Sequence, residues 1–84
     1  MATHNLKTWP KFFEAVLNGQ KTFELRRDDR LFEVGDVLQL QEWNPENGTF
    51  SGRSVLRRVT YLARDVPEFG LQPGFVILSL TEVE

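Results

Sequence analysis

The alternation of hydrophobic and polar residues predicts one helix set among several strands. Over residues 9–18 the apolar residues recur at helical spacing, which is typical of a helix with one face on a sheet; they are Trp9, Phe12, Phe13, Val16 and Leu17. Pro10 suits a first turn, so Thr8 or Trp9 is the expected N-cap. Gly19 is expected to end the helix in a left-handed conformation.

Elsewhere the pattern predicts strands. They are expected around Leu6, from Lys21 onward, and over residues 37–43, 53–63 and 75–80. Residues 34–36 predict a tight turn before the third strand, and residues 44–48 predict a hairpin turn after it. One helix and about five strands in this order make an α+β domain.

Residues two apart on a strand share a face, and this orients the predicted strands. Leu38 and Leu40 are expected to point into the core. In the fourth strand Val59 and Tyr61 are expected to share one face, with Leu62 on the opposite face.

Length and composition narrow the possibilities. The 84 residues predict a single domain, 1–84. With no cysteine, and with His4 as the one histidine, a disulfide or a zinc site is not expected, and no metal or other cofactor is predicted. The first residues lack the pattern of a signal peptide, and the apolar run 75–78 is too short to cross a bilayer. A cytoplasmic protein without a membrane partner is therefore expected.

The candidate chemistry lies just after the helix. Lys21 is at the bend, and Glu24 and Arg26 are same-face neighbours on the next strand, opposite the apolar Phe23 and Leu25. A carboxylate between two cations keeps its negative charge, fixes the guanidinium, and leaves cationic donors free for an anionic or carbonyl-bearing ligand. The alternative is a solvated strand face whose ion pairs contribute little to stability.

The spacing G-x-K-x-x-E-x-R resembles the signature of the ASCH domain, within the PUA-like superfamily; here it is formed by Gly19, Lys21, Glu24 and Arg26. Further runs are similar to the small bacterial and phage family DUF3850, for which an ASCH-like fold and RNA binding have been suggested; they are residues 4–7, 9–10, 12–16, 32–36, 42–45 and 52–53. The resemblance implies a small curled β-barrel of about five strands with one main helix. In that fold the helix end and the signature strand border a cleft.

The fourth strand and the residue after it carry charges of a single sign. This segment has four arginines and no acidic residue among them; the arginines are Arg53, Arg57, Arg58 and Arg64. Beside the signature residues they would form a local positive face on a chain of net charge -2, suited to phosphate contacts. In the alternative, they pair with carboxylates of neighbouring strands, namely Glu33, Asp36 and Glu42.

The leading hypothesis is binding of RNA or a nucleotide-like ligand in the cleft. Lys21 and Arg26 would contact phosphate or a base carbonyl, and Glu24 would orient them or accept from a base amine. An aromatic ring would stack on a single-stranded or flipped base, whose faces are accessible; the candidates are Trp9 and Trp43. Further ligand contacts are predicted at Lys7, Arg57 and Arg58.

The sequence leaves two other classes of function open, an enzyme and a protein-interaction module. Some ASCH relatives are amidohydrolases that deacylate a modified cytidine with the signature lysine and a threonine, and others are described as ribonucleases. For an enzyme the resemblance implies Lys21 and Glu24 as catalytic residues. However, Glu24 stands where the threonine is expected, and a carboxylate cannot replace a hydroxyl as acyl acceptor with the same intermediate, so binding is favoured. The remaining class is a protein-interaction module whose positive strand meets an acidic partner.

Overall fold

The structure, a computed structural model, describes residues 1–83 and contains the predicted helix and five strands. In chain order the elements are β1 (Thr3–Thr8), α1 (Pro10–Leu17), β2 (Phe23–Arg27), β3 (Val37–Asn44), β4 (Thr49–Ala63) and β5 (Phe75–Glu82). A single 3-10 turn, Pro67–Phe69, interrupts the loop between β4 and β5. Within residues 1–83 no helix is long and apolar enough to cross a membrane.

The strands form one sheet in the order β1-β3-β4-β5-β2. All neighbouring strands are antiparallel except β1 and β3, which are parallel and are joined by a long connection that contains α1 and β2. The sheet curls, so that its two edge strands, β1 and β2, approach each other across an opening. This is the predicted α+β architecture, and a half-barrel of five strands with one helix is consistent with a small PUA-like barrel.

The core fills the concave side of the curled sheet, where α1 packs on β3. Leu38 and Leu40 point into it, as predicted, and are fully buried. Its other buried members come from β1, β4 and β5, from the helix and from one loop: Leu6, Phe13, Val16, Phe32, Val59, Val76, Leu78 and Leu80. The apolar stripe of α1 is wider than its buried face, because Trp9, Phe12 and Leu17 stay about half exposed.

The N-cap of α1 is Trp9, one of the two residues predicted, while Thr8 ends β1, and no side chain caps the helix. Two strand boundaries differ from the prediction. The second strand begins at Phe23 and not at Lys21. The chain turns at the left-handed Gly19, and the Lys21 N–H donates back to the Ala15 carbonyl of the helix at 2.8 Å, so Lys21 is not part of the strand. The fourth strand begins four residues before the predicted start, at Thr49, directly after the hairpin turn.

A bulge in β4 overturns the predicted facing of its residues. Val59 pairs with Leu80 and Tyr61 with Ser79, so Thr60 is an extra residue on one side of the ladder. Val59 is therefore buried while Tyr61 is 67% exposed, and the prediction that they share a face is wrong. Beyond the bulge Leu62, predicted on the other face, packs against the core.

The predicted turn before β3 is present, with Gly35 at a φ of 98°. Asp36, which follows it, is almost completely buried, and its carboxylate accepts from the Ala2 N–H, the Glu33 N–H and His4 Nε2 at 2.8–3.0 Å. Burial by itself raises the pKa of Asp36, but these hydrogen bonds lower it further than burial raises it, so the net pKa lies below its ordinary value. One carboxylate thus fastens the start of β1 to the turn.

We expect Asp36→Asn to lower the free energy of unfolding at neutral pH by about 1–3 kcal/mol, because buried N–H donors lose a charged acceptor. Since the folded pKa of Asp36 is below the unfolded one, its contribution is present above the unfolded pKa and is lost as pH falls through the folded pKa. Urea unfolding of both proteins at neutral and acidic pH measures this. A difference that stayed constant on acidification would contradict it.

Candidate ligand-binding cleft

The two edge strands are bridged by arginine side chains and not by a backbone ladder. Arg26 of β2 donates through Nη2 to the Lys7 carbonyl at 2.8 Å and to Thr8 Oγ1 at 3.2 Å, both on β1. Just after β2, Arg30 Nη1 donates to the Asn5 carbonyl at 3.1 Å. Two arginine side chains therefore cross the opening of the half-barrel, one at Arg26 and one at Arg30.

A buried carboxylate holds the first of these bridges in place. Glu24 is 3% exposed, and its oxygens accept from Lys21 Nζ at 2.6 Å and from Arg26 Nε at 2.8 Å. Lys21 Nζ also donates to the Phe23 carbonyl at 2.7 Å. Lys21, Glu24 and Arg26 are named here the clamp; together they carry one net positive charge.

The alternation of β2 explains why the clamp forms. Glu24 and Arg26 pair with Leu78 and Val76 of β5, so they lie on the concave face of the sheet beside the core. Phe23 and Leu25 alternate with them, as predicted, and are 44% and 54% exposed. The charged face of this strand thus points inward. Burial of the Glu24 carboxylate is tolerated there because each of its oxygens accepts from a cationic donor.

The clamp retains donors that have no acceptor in residues 1–83. Arg26 Nη1 takes part in no hydrogen bond there, while Nε and Nη2 do. An ammonium has three hydrogens, and Lys21 uses its ammonium on two acceptors. These remaining donors are available to a ligand.

A cleft of about 360 Å³ opens beside the clamp. Its polar lining consists of the clamp and two residues of β1, Lys7 and Thr8. Its apolar lining is Trp9, Phe12, Phe23 and Leu25. Trp9 and Phe12 are stacked with ring centroids 6.1 Å apart, and both rings are partly open to solvent. The cleft therefore combines flat apolar surfaces with fixed cations.

The structure brings five of the seven predicted ligand contacts to this cleft: Lys7, Trp9, Lys21, Glu24 and Arg26. Trp43 does not line it; its ring packs under Lys7 Nζ at 4.6 Å. Arg57 and Arg58 also lie outside it. Arg57 donates to the Val16 carbonyl at the end of α1, and Arg58 to the Gly35 carbonyl, so the structure does not join them to Lys21 as predicted.

The other two arginines of the β4 segment are paired with carboxylates. Arg53 contacts both Glu42 and Glu14, and Arg64 contacts Asp28 at 2.6 Å. The hydrogen bond from Arg53, followed by that from Ser51, lowers the pKa of Glu42 below its ordinary value. For Arg53 the structure bears out the pairing with Glu42; a continuous free positive face on β4 is absent from the described residues.

The sequence matches the model of the family described as "Domain of unknown function (DUF3850)" over residues 3–80. The chain belongs to this family. It is also similar to a protein of Escherichia phage P2, described as an uncharacterized 12.9 kDa protein in the GpA 3′ region, with 46% identity over 57 residues. That match covers 68% of this chain and 50% of the phage protein, so the chain spans about half the length of this relative.

Four residues of the cleft in this DUF3850 chain were not predicted from sequence: Thr8, Phe12, Phe23 and Leu25. The helical spacing of Phe12 predicts a core position, and Thr8 is one of the two predicted N-caps. The signal available for Phe23 and Leu25 was their alternation with two charged residues, since a strand that buries its charges must expose its apolar side chains. No cluster of three histidine or carboxylate side chains in residues 1–83 offers a metal site.

We expect Glu24→Gln to lower the free energy of unfolding by about 1–3 kcal/mol, because two partly buried cations lose their shared anion. Urea unfolding at low salt measures the change. Glu46→Gln, in the exposed hairpin turn, removes the same charge and serves as the matched control. Equal stability of the two variants would show that the clamp does not contribute to the fold.

Proposed function

We propose that this DUF3850 domain binds single-stranded RNA or a nucleotide-like ligand in the cytoplasm, with one base in the cleft. The observation that carries the proposal is the juxtaposition of uncommitted cationic donors on Lys21 and Arg26 with the exposed rings of Trp9 and Phe12. Stacking rings and fixed cations are the two components of single-strand binding sites.

The size of the cleft favours a single nucleotide unit. At about 360 Å³ it is near the lower end of ligand pockets, which span roughly 300–1,000 Å³. A base with part of its ribose suits this space, and a duplex does not, because its bases are stacked and paired. The proposal therefore concerns unpaired or extruded bases.

The electrostatics of the cleft also favour a ligand with negative or carbonyl oxygens. The clamp carries one net positive charge, and Lys7 adds another at the rim, on a protein whose overall charge is -2. Because Glu24 fixes both cations, little side-chain ordering remains to oppose binding. The attraction is local, which suits a short contact with one nucleotide.

The proposal also assigns this chain to a wider superfamily. The curled sheet, the single helix and the G-x-K-x-x-E-x-R spacing together support placing this DUF3850 chain with the ASCH domains of the PUA-like superfamily. Binding without turnover is preferred, because both oxygens of Glu24 are engaged by cations and the threonine expected of the amidohydrolases is not at this position. Thr22, the nearest alternative, is exposed before β2 begins.

We expect short single-stranded RNA to bind at low salt and to lose affinity as salt is raised. Lys21→Ala should weaken binding at low salt by about tenfold or more, because a charge-assisted contact is lost. For one lost phosphate contact, the slope of log affinity against log salt should fall by about 0.7. Fluorescence anisotropy of a labelled hexanucleotide measures both quantities.

Lys11→Ala is the matched control for this experiment. Lys11 is an exposed lysine of α1 that does not line the cleft, so its removal changes the net charge equally. Absence of RNA binding by the unaltered protein at low salt would refute the proposed function. Equal losses in the two variants would assign the binding to net charge and not to the cleft.

Stacking on Trp9 gives a separate expectation. Trp9→Ala should weaken binding by about 1–3 kcal/mol per stacked base, and Trp9→Phe should restore part of it, because a smaller ring still stacks. Tyr61→Ala removes an exposed aromatic side chain outside the cleft and is the control. Isothermal titration with the same RNA measures the difference, and identical affinity of Trp9→Ala and Tyr61→Ala would exclude stacking at this ring.

A further inference from the structure

The free edge of β2 turns main-chain groups toward the cleft. Two hydrogen bonds at the ends of β2 show which of its residues bond to β5: the Leu80 N–H donates to the Thr22 carbonyl, and the Asp28 N–H donates to the Gly74 carbonyl. In an antiparallel pair, alternate residues direct both N–H and C=O to the same neighbour. The even-numbered residues of β2 therefore face β5, and the odd-numbered ones face the opening, where the sheet has no further strand.

Leu25 has both main-chain groups available. The Phe23 carbonyl already accepts from Lys21 Nζ, and the Arg27 carbonyl accepts from the Asp29 N–H at 3.0 Å. In residues 1–83 neither the N–H nor the C=O of Leu25 has a hydrogen-bond partner. Leu25 lines the cleft, so a donor and an acceptor lie side by side at its wall.

We propose that the main chain of Leu25 reads the hydrogen-bonding edge of a nucleobase, an inference that rests on the proposed function. The N–H of Leu25 donates to an acceptor on the base, and its C=O accepts from a neighbouring donor. Arg26 lines the same cleft, and its Nη1 has no hydrogen-bond partner in residues 1–83. The ligand class is thus a base with an unmodified donor-acceptor edge.

A phosphate does not meet this requirement, because an ionised phosphate only accepts hydrogen bonds. It would leave the Leu25 carbonyl unsatisfied at the wall of a partly buried cleft, which is unfavourable. The edge of a splayed base instead carries donors and acceptors next to one another. The cationic donors are then left for the base carbonyl or the adjoining phosphate.

An extended peptide would present the same alternation of donors and acceptors, but the opening does not admit one. Strand addition requires a continuous free edge along several residues. The Arg26 guanidinium crosses the opening to the Lys7 carbonyl, and Arg30 crosses it again to the Asn5 carbonyl. Between these bridges and the Lys21 contact on Phe23, only a short piece of edge is open.

Modified oligonucleotides test the inference without changing the protein. Hexamers of uridine, cytidine and adenosine are compared with hexamers of N3-methyluridine, N4,N4-dimethylcytidine and N6,N6-dimethyladenosine, which lack the donor of the base edge. For the hexamer that binds most tightly, we expect the base methylation to weaken binding about tenfold or more. The 2′-O-methyl version of the same hexamer, which leaves the base intact, should lose clearly less.

The outcomes separate this inference from the proposed function. If an unmodified hexamer binds and its base-methylated form binds equally well, the reading of the edge by Leu25 is overturned and the binding function stands. If none of the three unmodified hexamers binds, and a hexamer that contains guanosine does not bind either, the proposed function fails, and this inference fails with it.

A proline substitution tests the donor on the protein side. Proline is tolerated on an edge strand where the N–H points away from the ladder, as it does at Leu25. Leu25→Pro should lose more affinity than Leu25→Ala, which retains the N–H and reports the side-chain contribution. Thermal unfolding monitors the fold, and the modified hexamers decide the matter if the proline variant does not fold. A proline variant that bound as tightly as the alanine variant would refute the donor role.

Discussion

The opening of this half-barrel is organised by one buried carboxylate. Glu24 lies on the concave face of an edge strand, next to fully buried apolar residues of β5, where an unpaired charge would strongly destabilise the fold. Lys21 and Arg26 remove that penalty by donating to its two oxygens. Because the carboxylate fixes the guanidinium through Nε, the other side of the same guanidinium is aimed across the opening at β1.

This arrangement leaves the sheet closed by side chains and open to a ligand. A backbone ladder between β1 and β2 would have saturated both edges and filled the space between them. An arginine bridge instead joins the edges at a point, so free main-chain groups and exposed rings persist beside it. The same interaction that substitutes for barrel closure therefore borders the cleft, and the proposed binding function depends on the same three side chains as this closure.

The sequence predicted local relationships well and long-range ones poorly. The clamp could be predicted because its members lie within six consecutive residues, shortly after a helix followed by the left-handed Gly19, and strand alternation then sets their faces. The alternation of apolar and polar residues does not indicate that Thr60 is an extra residue in the ladder, so the predicted face of Tyr61 was wrong. The partners of the β4 arginines depend on which strands become neighbours, and this is set by the curl of the whole sheet.

The fate of the arginines explains why the cleft depends on few groups. Arg57, Arg58 and Arg64 donate to carbonyls at the end of a helix, in a turn and in a loop, and Arg53 joins the helix to the β3–β4 hairpin. The charges of Arg53 and Arg64 are offset by the carboxylates they contact, and the chain as a whole carries a net charge of -2. In the proposed function, attraction for a polyanion is accordingly weak outside the cleft, and selection of a ligand falls to stacking and to the short hydrogen-bonding edge inside it.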